Sequence, residues 1–145
     1  MFKTILAPTD GSPLSEKSTL AAIALAKQNG GKVITLSVAE PYIYPSLGEG
    51  APTIDSSIYT AKLRELAQLH VQQVADAAKA AAVPCETIVA DSFSPSDEIV
   101  KAAQAHGCDV IVMASHGRKG LSKLFLGSET QKVLAQSTIP VLVFR

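Results

Sequence analysis

Three short stretches of this chain hold residue types suited to binding an anion. Ala7-Pro8-Thr9-Asp10-Gly11-Ser12 sets a carboxylate and a hydroxyl on either side of a glycine. Met113-Ala114-Ser115-His116-Gly117-Arg118-Lys119-Gly120 follows an apolar run, and Leu126-Gly127-Ser128-Glu129-Thr130 opens a helical stretch. A helix start rich in glycine and serine carries backbone N–H groups that lack intrahelical acceptors, and these, with the helix dipole, favour a phosphate. The same residues also serve as ordinary caps, so both uses stay open on this pattern alone.

Other chemistries find less support. His116 has no serine and aspartate in a recognisable triad order, and a loop histidine beside glycine reads as a polar lining residue rather than a base. His70 falls on a helix stripe and His106 suits a helix C-terminus; neither has a second metal ligand at matching spacing. Cys85 and Cys108 form no CxxC or Cys/His pattern and read as small hydrophobes. Arg118, Lys119 and Lys123 make a small basic cluster of the kind usual in solvated loops, with Arg118 a secondary phosphate contact. Neither the GxxxxGK[S/T] loop nor GxGxxG after the first strand occurs, which removes the ordinary NTPase and dehydrogenase readings. A phosphoacceptor receiver would want clustered acids after the first strand, where only Asp10 stands.

The elements that must position these stretches are legible in the pattern. Short β-branched runs alternate with alanine-rich stretches, which predicts an α/β domain with a parallel sheet and helices on both faces. The predicted strands are Thr4–Thr9, Lys32–Ala39, Glu86–Asp91, Asp109–Ser115 and Ile139–Phe144, several of them continuous apolar runs suited to burial on both faces. The first helix opens at Ser12-Pro13, serine as N-cap and proline at the first position, and stops at Asn29-Gly30-Gly31. Another repeats that grammar from Ser94-Pro95-Ser96-Asp97 to Gly107. The longest runs from about Ile58 to Ala82, with Tyr59, Leu63, Leu66, His70, Val74, Ala77 and Ala81 as its stripe and Val83-Pro84 as its stop. The last follows Ser128. Pro41 to Ser57 carries three prolines and two glycines without periodicity and reads as a lid or partner surface. In an open parallel sheet the crevice outside the strand carboxyl ends takes the ligand, so the segments after strands one and four are the place to look.

Composition narrows the field. At 145 residues the chain is expected to form one domain, residues 1–145. Thirteen Lys and Arg balance thirteen Asp and Glu, and 47% of residues are hydrophobic, so a real core is expected but no field that would draw nucleic acid or anionic lipid. The longest apolar run, Leu20 to Ala26, is too short to span a bilayer, and the N-terminus lacks a signal-peptide run, so a reduced, cytoplasmic setting is expected.

Ala114-x2-Gly117-x9-Gly127-Ser128, after Val110-Ile111-Val112-Met113, resembles the G-x2-G-x9-G-[S/T] nucleotide loop of the universal stress protein family. The resemblance continues through Ile5 to Ser12, Ser94 to Ile99, and Ile139-Pro140-Val141-Leu142-Val143, and so spans the chain. It implies a doubly wound, Rossmann-like sheet in strand order 3-2-1-4-5, of the adenine nucleotide alpha hydrolase-like kind. It also implies binding of ATP, or of AMP or ADP, with Mg or Mn, in a stress-response sensor or regulator with slow or absent hydrolysis. Gly117, Gly127 and Ser128 would hold the phosphates, helped by the Glu129 and Thr130 amides. Asp10, beside Pro8 and Thr9, would face the ribose or a phosphate-bound metal, and Val38 and Met113 would line the adenine pocket. Ala114 stands at the pattern's first glycine. Its methyl fits an ordinary backbone and clashes if that position needs positive φ or touches the ligand. A homodimer through Ile139–Phe144 is implied as well. Two alternatives stay open: a module without nucleotide acting through its dimer surface, and a slow ATPase or autophosphorylating enzyme using Ser12 or Ser128.

Overall fold

The computed structural model describes residues 1–41, 56–117 and 126–145. The lid or partner-surface reading of Pro41–Ser57 therefore falls largely outside the described residues, as do Arg118, Lys119 and Lys123. In chain order the elements are β1 (Thr4–Pro8), α1 (Pro13–Asn29), β2 (Lys32–Ala39), α2 (Ser56–Ala80), β3 (Cys85–Asp91), α3 (Pro95–Ala105), β4 (Val110–Ala114), α4 (Ser128–Gln136) and β5 (Val141–Phe144). The five strands are all parallel and lie in the order β3-β2-β1-β4-β5, as the sequence resemblance implied.

Strand alternation sorts the core into two layers. Ile5, Ala7, Val33, Val110 and Val112 point to one face, where Ala22, Ile23 and Ala26 of α1 and Val74 and Ala78 of α2 cover them. Leu6, Ile34, Leu36, Ile111 and Met113 point to the other, against Ile99, Ala102 and Ala103 of α3 and Val133 of α4. Strands covered on both sides need no polar alternation, which is why the sequence shows continuous apolar runs. Leu6 and Ile111 are adjacent across β1 and β4 and fully buried, so truncating either to alanine costs about 2–5 kcal/mol. The strand beginnings are clamped too: Asp109 Oδ2 accepts the Lys3 and Thr4 N–H groups at 2.8 Å each, and Asp109 N–H returns a bond to the Thr4 carbonyl at 2.7 Å. Among the described residues no helix is long and apolar enough to cross a membrane.

Several sequence expectations are corrected in detail. Helix α2 starts at Ser56 and buries Ala67, His70, Val71, Val74 and Ala78, a stripe rotated from the predicted one, and Tyr59 is exposed. Ala82, at φ +58, makes the stop that Val83-Pro84 was expected to make; Val83 N–H then bonds the Ala78 carbonyl at 2.9 Å. Strand β5 begins at Val141, because Pro140 has no N–H to pair and the Ile139 N–H turns to Ser137 Oγ at 3.0 Å. Ser12 caps α1 as expected, accepting the Ser15 N–H at 3.2 Å. Ser94 stands at the N-cap of α3 but makes no side-chain cap bond.

Candidate functional site

The crevice lies where the strand order turns, between the carboxyl ends of β1 and β4. Beyond Pro8, the last residue of β1, the chain folds into a closed turn. Thr9 N–H holds the Leu36 carbonyl of β2 at 2.8 Å, Thr9 Oγ1 accepts the Gly11 N–H at 3.2 Å, and Thr9 and Ser15 hydroxyls lie 3.3 Å apart. Asp10 Oδ1 accepts the Ser12 N–H at 3.0 Å, the local turn-capping role open to any Asp-Gly-Ser. Its other oxygen faces across the crevice, since a Cβ placed on Gly117 would lie 2.2 Å from Asp10 Oδ2. A carboxylate from the β1 turn and the glycine backbone after β4 thus touch.

Gly11 takes φ +74, in the region that disfavours other residues, and a Cβ there would also run into the His70 imidazole, 2.3 Å from Nε2. His70, nearly buried on α2, therefore backs the Asp10 turn. Sequence reading placed it on the helix stripe and missed this contact; the Asp-Gly dipeptide was the available signal, because a left-handed glycine leaves an open face for another element.

The β4 side is stitched to α4. Ser115 N–H extends the β5 pairing through the Phe144 carbonyl at 2.7 Å, while Ser115 C=O accepts the Gly127 N–H at 2.6 Å. Thr130 Oγ1 lies 3.0 Å from the Ala114 carbonyl oxygen and 3.1 Å from that of Ser115, so its hydroxyl pins the α4 first turn onto the strand end. A Cβ on Gly127 would stand 3.1 Å from the Ser115 carbonyl oxygen and 3.2 Å from His116 Cα, tighter than nearly all real contacts. Gly127 is the N-cap and offers no side chain to its own helix; Ser128 follows, exposed. His116 Nδ1 is 3.1 Å from Ser115 Oγ.

Ala114 sits in extended strand, paired with Phe144 and nearly buried. Phe2 and Ala82 are the positive-φ non-glycine residues among those described, so the backbone at Ala114 carries no conformational penalty for its methyl. Val38 and Met113 both belong to the α3/α4 face of the sheet, Val38 at the end of β2 and Met113 at the end of β4. Of the expected site residues, Asp10 meets Gly117, Gly127 meets His116, and Thr130 bonds Ala114; Pro8 and Thr9 stand at the carboxyl end of β1, exposed Ser128 opens α4, and Arg118 lies outside the described residues. The Glu129 side chain turns elsewhere, as its Oε2 accepts the Ser96 N–H of α3 at 2.8 Å. Burial raises the Glu129 carboxyl, but hydrogen bonds from Lys132 and from Ser96 outweigh it and hold the group below its ordinary value. Burial pushes the Cys85 and Cys108 thiols up to about 11, so neither supplies a nucleophile.

An open, doubly wound parallel sheet with a loop carboxylate and a helix N-terminus at its switch point defines a class of ligand-binding α/β domain. The model of the universal stress protein family matches residues 1–145, and the chain belongs to that family. It is 33% identical over 149 residues to the universal stress protein YxiE of Bacillus subtilis, covering all of both chains. It is 30% identical over 156 residues to the universal stress protein MJ0577 of Methanocaldococcus jannaschii, covering all of this chain and 96% of that one. The solved structure of MJ0577 superposes with a TM-score of 0.83 at 31% identity, covering 99% of this chain and 96% of that chain. More distant members share the fold: a universal stress protein solved with cAMP (24% identity, TM-score 0.72, covering 99% and 97% of the two chains) and one from Archaeoglobus fulgidus solved with dAMP (18%, 0.67, covering 100% and 98%).

Proposed function

We propose that this protein is a cytoplasmic adenine-nucleotide sensor of the universal stress type, which binds ATP, or its ADP or AMP products, and turns it over slowly or not at all. The observation that carries this reading is the double close approach at Gly117 and Gly127. Only residues without Cβ let the β1 carboxylate, the end of β4 and the α4 N-terminus meet without a shift, and the first-turn amides of α4 beyond Gly127, which lack intrahelical acceptors, then stand beside the crevice. Phosphates would lie against the Gly117, Gly127, Ser128, Glu129 and Thr130 backbone, with the base toward Val38 and Met113. Pro8 and Thr9 would wall the ribose. The extended backbone at Ala114 removes one of the two objections that its methyl raised.

Asp10 suits a metal that arrives with the nucleotide. Mg²⁺ is commonly held by one or two carboxylates plus substrate phosphates, and Mn²⁺ accepts the same oxygen ligands. Asp10 supplies one such carboxylate at the crevice, and among the described residues no group of three or more His, Cys, Asp or Glu forms an all-protein metal site. When bound, the metal would neutralise phosphate charge beside Asp10. His116, held to Ser115 Oγ, is a lining residue in this reading, which fits slow turnover. A homodimer through β5 belongs to the same proposal: Leu142 of this edge strand is 45% exposed, while Val141 packs toward the core.

The test is calorimetric and thermal-shift titration of the purified chain with magnesium ATP, ADP, AMP and cAMP, with GTP and FMN as controls. Saturable, adenine-selective binding is expected, and at a ligand concentration a hundred times Kd it stabilises the fold by about 2.7 kcal/mol. Absence of heat and shift with every adenine nucleotide refutes the reading and leaves the dimer surface as the place of function.

A further inference from the structure

Glu129 is the second residue of α4, so its carboxylate departs from the turn whose amides would face a phosphate. A negative charge free to swing there would repel the ligand it sits beside. The structure directs it sideways instead, with Oε2 on the Ser96 N–H and Oε1 on Lys132 Nζ, both at 2.8 Å. Ser96 is fully buried in the first turn of α3, and Ser94 at the N-cap caps no backbone N–H of that turn, its Oγ lying 3.5 Å from Ser96 Oγ instead. The acceptor that α3 needs for this amide therefore comes from α4. Asp97 and Glu40 lie close enough to Lys132 to favour its charge, after the larger effect of Glu129 itself.

Geometry gives the bond a use. Helix α4 is nine residues long and its buried residues are Thr130 and Val133, a small packed face to which polar ties at its first turn add. Successive helix residues point about 100° apart. Thr130 is tied to the end of β4, and Glu129, one step round the helix, is tied to α3. Two anchors in different directions fix the roll of the first turn as well as its position.

We propose that Glu129 is a positioning residue of the nucleotide site: its carboxylate ties the first turn of α4 to the first turn of α3 and so holds the phosphate-facing amides in place. The proposal rests on the nucleotide reading above. It differs from a purely electrostatic role in what it requires, which is reach rather than charge.

Glu129→Gln and Glu129→Asp separate the two. Glutamine keeps an oxygen at the right length for the Ser96 N–H and loses the charge; aspartate keeps the charge and is one carbon too short. Both retain the backbone amide of residue 129. Magnesium ATP titration of each folded variant is combined with NMR hydrogen exchange of the Ser96 amide in the free protein. The expected result is binding within about threefold of wild type for Glu129→Gln, roughly tenfold weaker binding for Glu129→Asp, and faster Ser96 exchange in the aspartate variant alone. The reverse order of affinities, or Glu129→Asp with wild-type affinity and unchanged Ser96 exchange, overturns the tie. A wild-type protein that binds no adenine nucleotide instead refutes the nucleotide reading, and the exchange measurement still decides whether the carboxylate joins the two helices.

Discussion

Replacing Gly117 by alanine is the most informative small perturbation of the crevice. The added Cβ would lie 2.2 Å from Asp10 Oδ2, against roughly 3.5 Å for an unstrained contact. Asp10 must therefore shift by about an ångström, which strains and at most breaks the 3.0 Å bond from the Ser12 N–H to its Oδ1. A hydrogen bond to a charged group contributes about 1.5–3 kcal/mol where buried, and the partly exposed position of Asp10 places it near the lower end. Against this, Gly→Ala at a position with ordinary φ stabilises by about 0.4–1 kcal/mol through the unfolded chain, and Gly117 is not among the positive-φ glycines. The net expectation is a loss of about 0.5–1 kcal/mol, or about 2–3 °C in Tm, read by urea and thermal unfolding. In an Asp10→Ala background the same change should be neutral or stabilising, because nothing is left to collide with. Stabilisation by Gly117→Ala in the otherwise unchanged protein would falsify the close approach on which the site is built.

Other consequences follow from single contacts. Asp109→Asn should lower stability at neutral pH by about 1 kcal/mol, screened by solvent from the value of a buried charged bond, because the carboxylate accepts two backbone N–H groups. Those bonds from Thr4 and Lys3 hold the Asp109 carboxyl below its ordinary value, so its contribution is complete above the unfolded pKa of about 4 and disappears as pH falls through the lower folded value; urea titrations between pH 2 and 6 should show a flatter slope in the variant. Ala82→Gly should raise stability by about 0.5–1 kcal/mol, since left-handed backbone costs alanine about 1–2 kcal/mol and glycine gives part of that back in unfolded-state entropy; an unchanged urea midpoint would contradict the left-handed stop. The proposed β5 homodimer predicts that the wild type sediments as a dimer and Leu142→Lys as a monomer with an intact circular dichroism spectrum, and a monomeric wild type or a dimeric variant would remove β5 as the interface.

The fold was largely legible because punctuation and pattern agreed. Ser12-Pro13 and Gly30 bracket α1 where the structure ends it, with Gly30 in the left-handed region, and continuous runs such as Val110-Ile111-Val112-Met113 are the doubly covered strands. What local pattern could not carry is the long-range part. The α3 amide is capped by Glu129 from 33 residues away, the start of β1 is held by Asp109 from 105 and 106 residues away, and His70 occupies the open face of Gly11. Each depends on a loop closing in space rather than on a neighbour in sequence. The α2 stripe was misplaced for a related reason: Ala67 and Ala78 are buried by where the helix crosses the sheet, while the larger Tyr59 lies in its exposed first turn. The site segments were readable because glycine, serine and a helix start coincide, whereas Asp10 was ambiguous and serves two directions at once, one oxygen capping its turn and the other facing Gly117.

The central claim, that nucleotide phosphate lies against the Gly127-Ser128 entry of α4, is tested most directly by titrating magnesium ATP into the wild-type chain and into Gly127→Val side by side. A valine Cβ at that position would stand 3.1 Å from the Ser115 carbonyl oxygen, with its methyl groups pressed toward the strand end or into the crevice. Saturable binding by wild type and its loss in a variant with an unchanged circular dichroism spectrum is the predicted result. Equal affinity in the folded variant, or no binding by wild type, would contradict it.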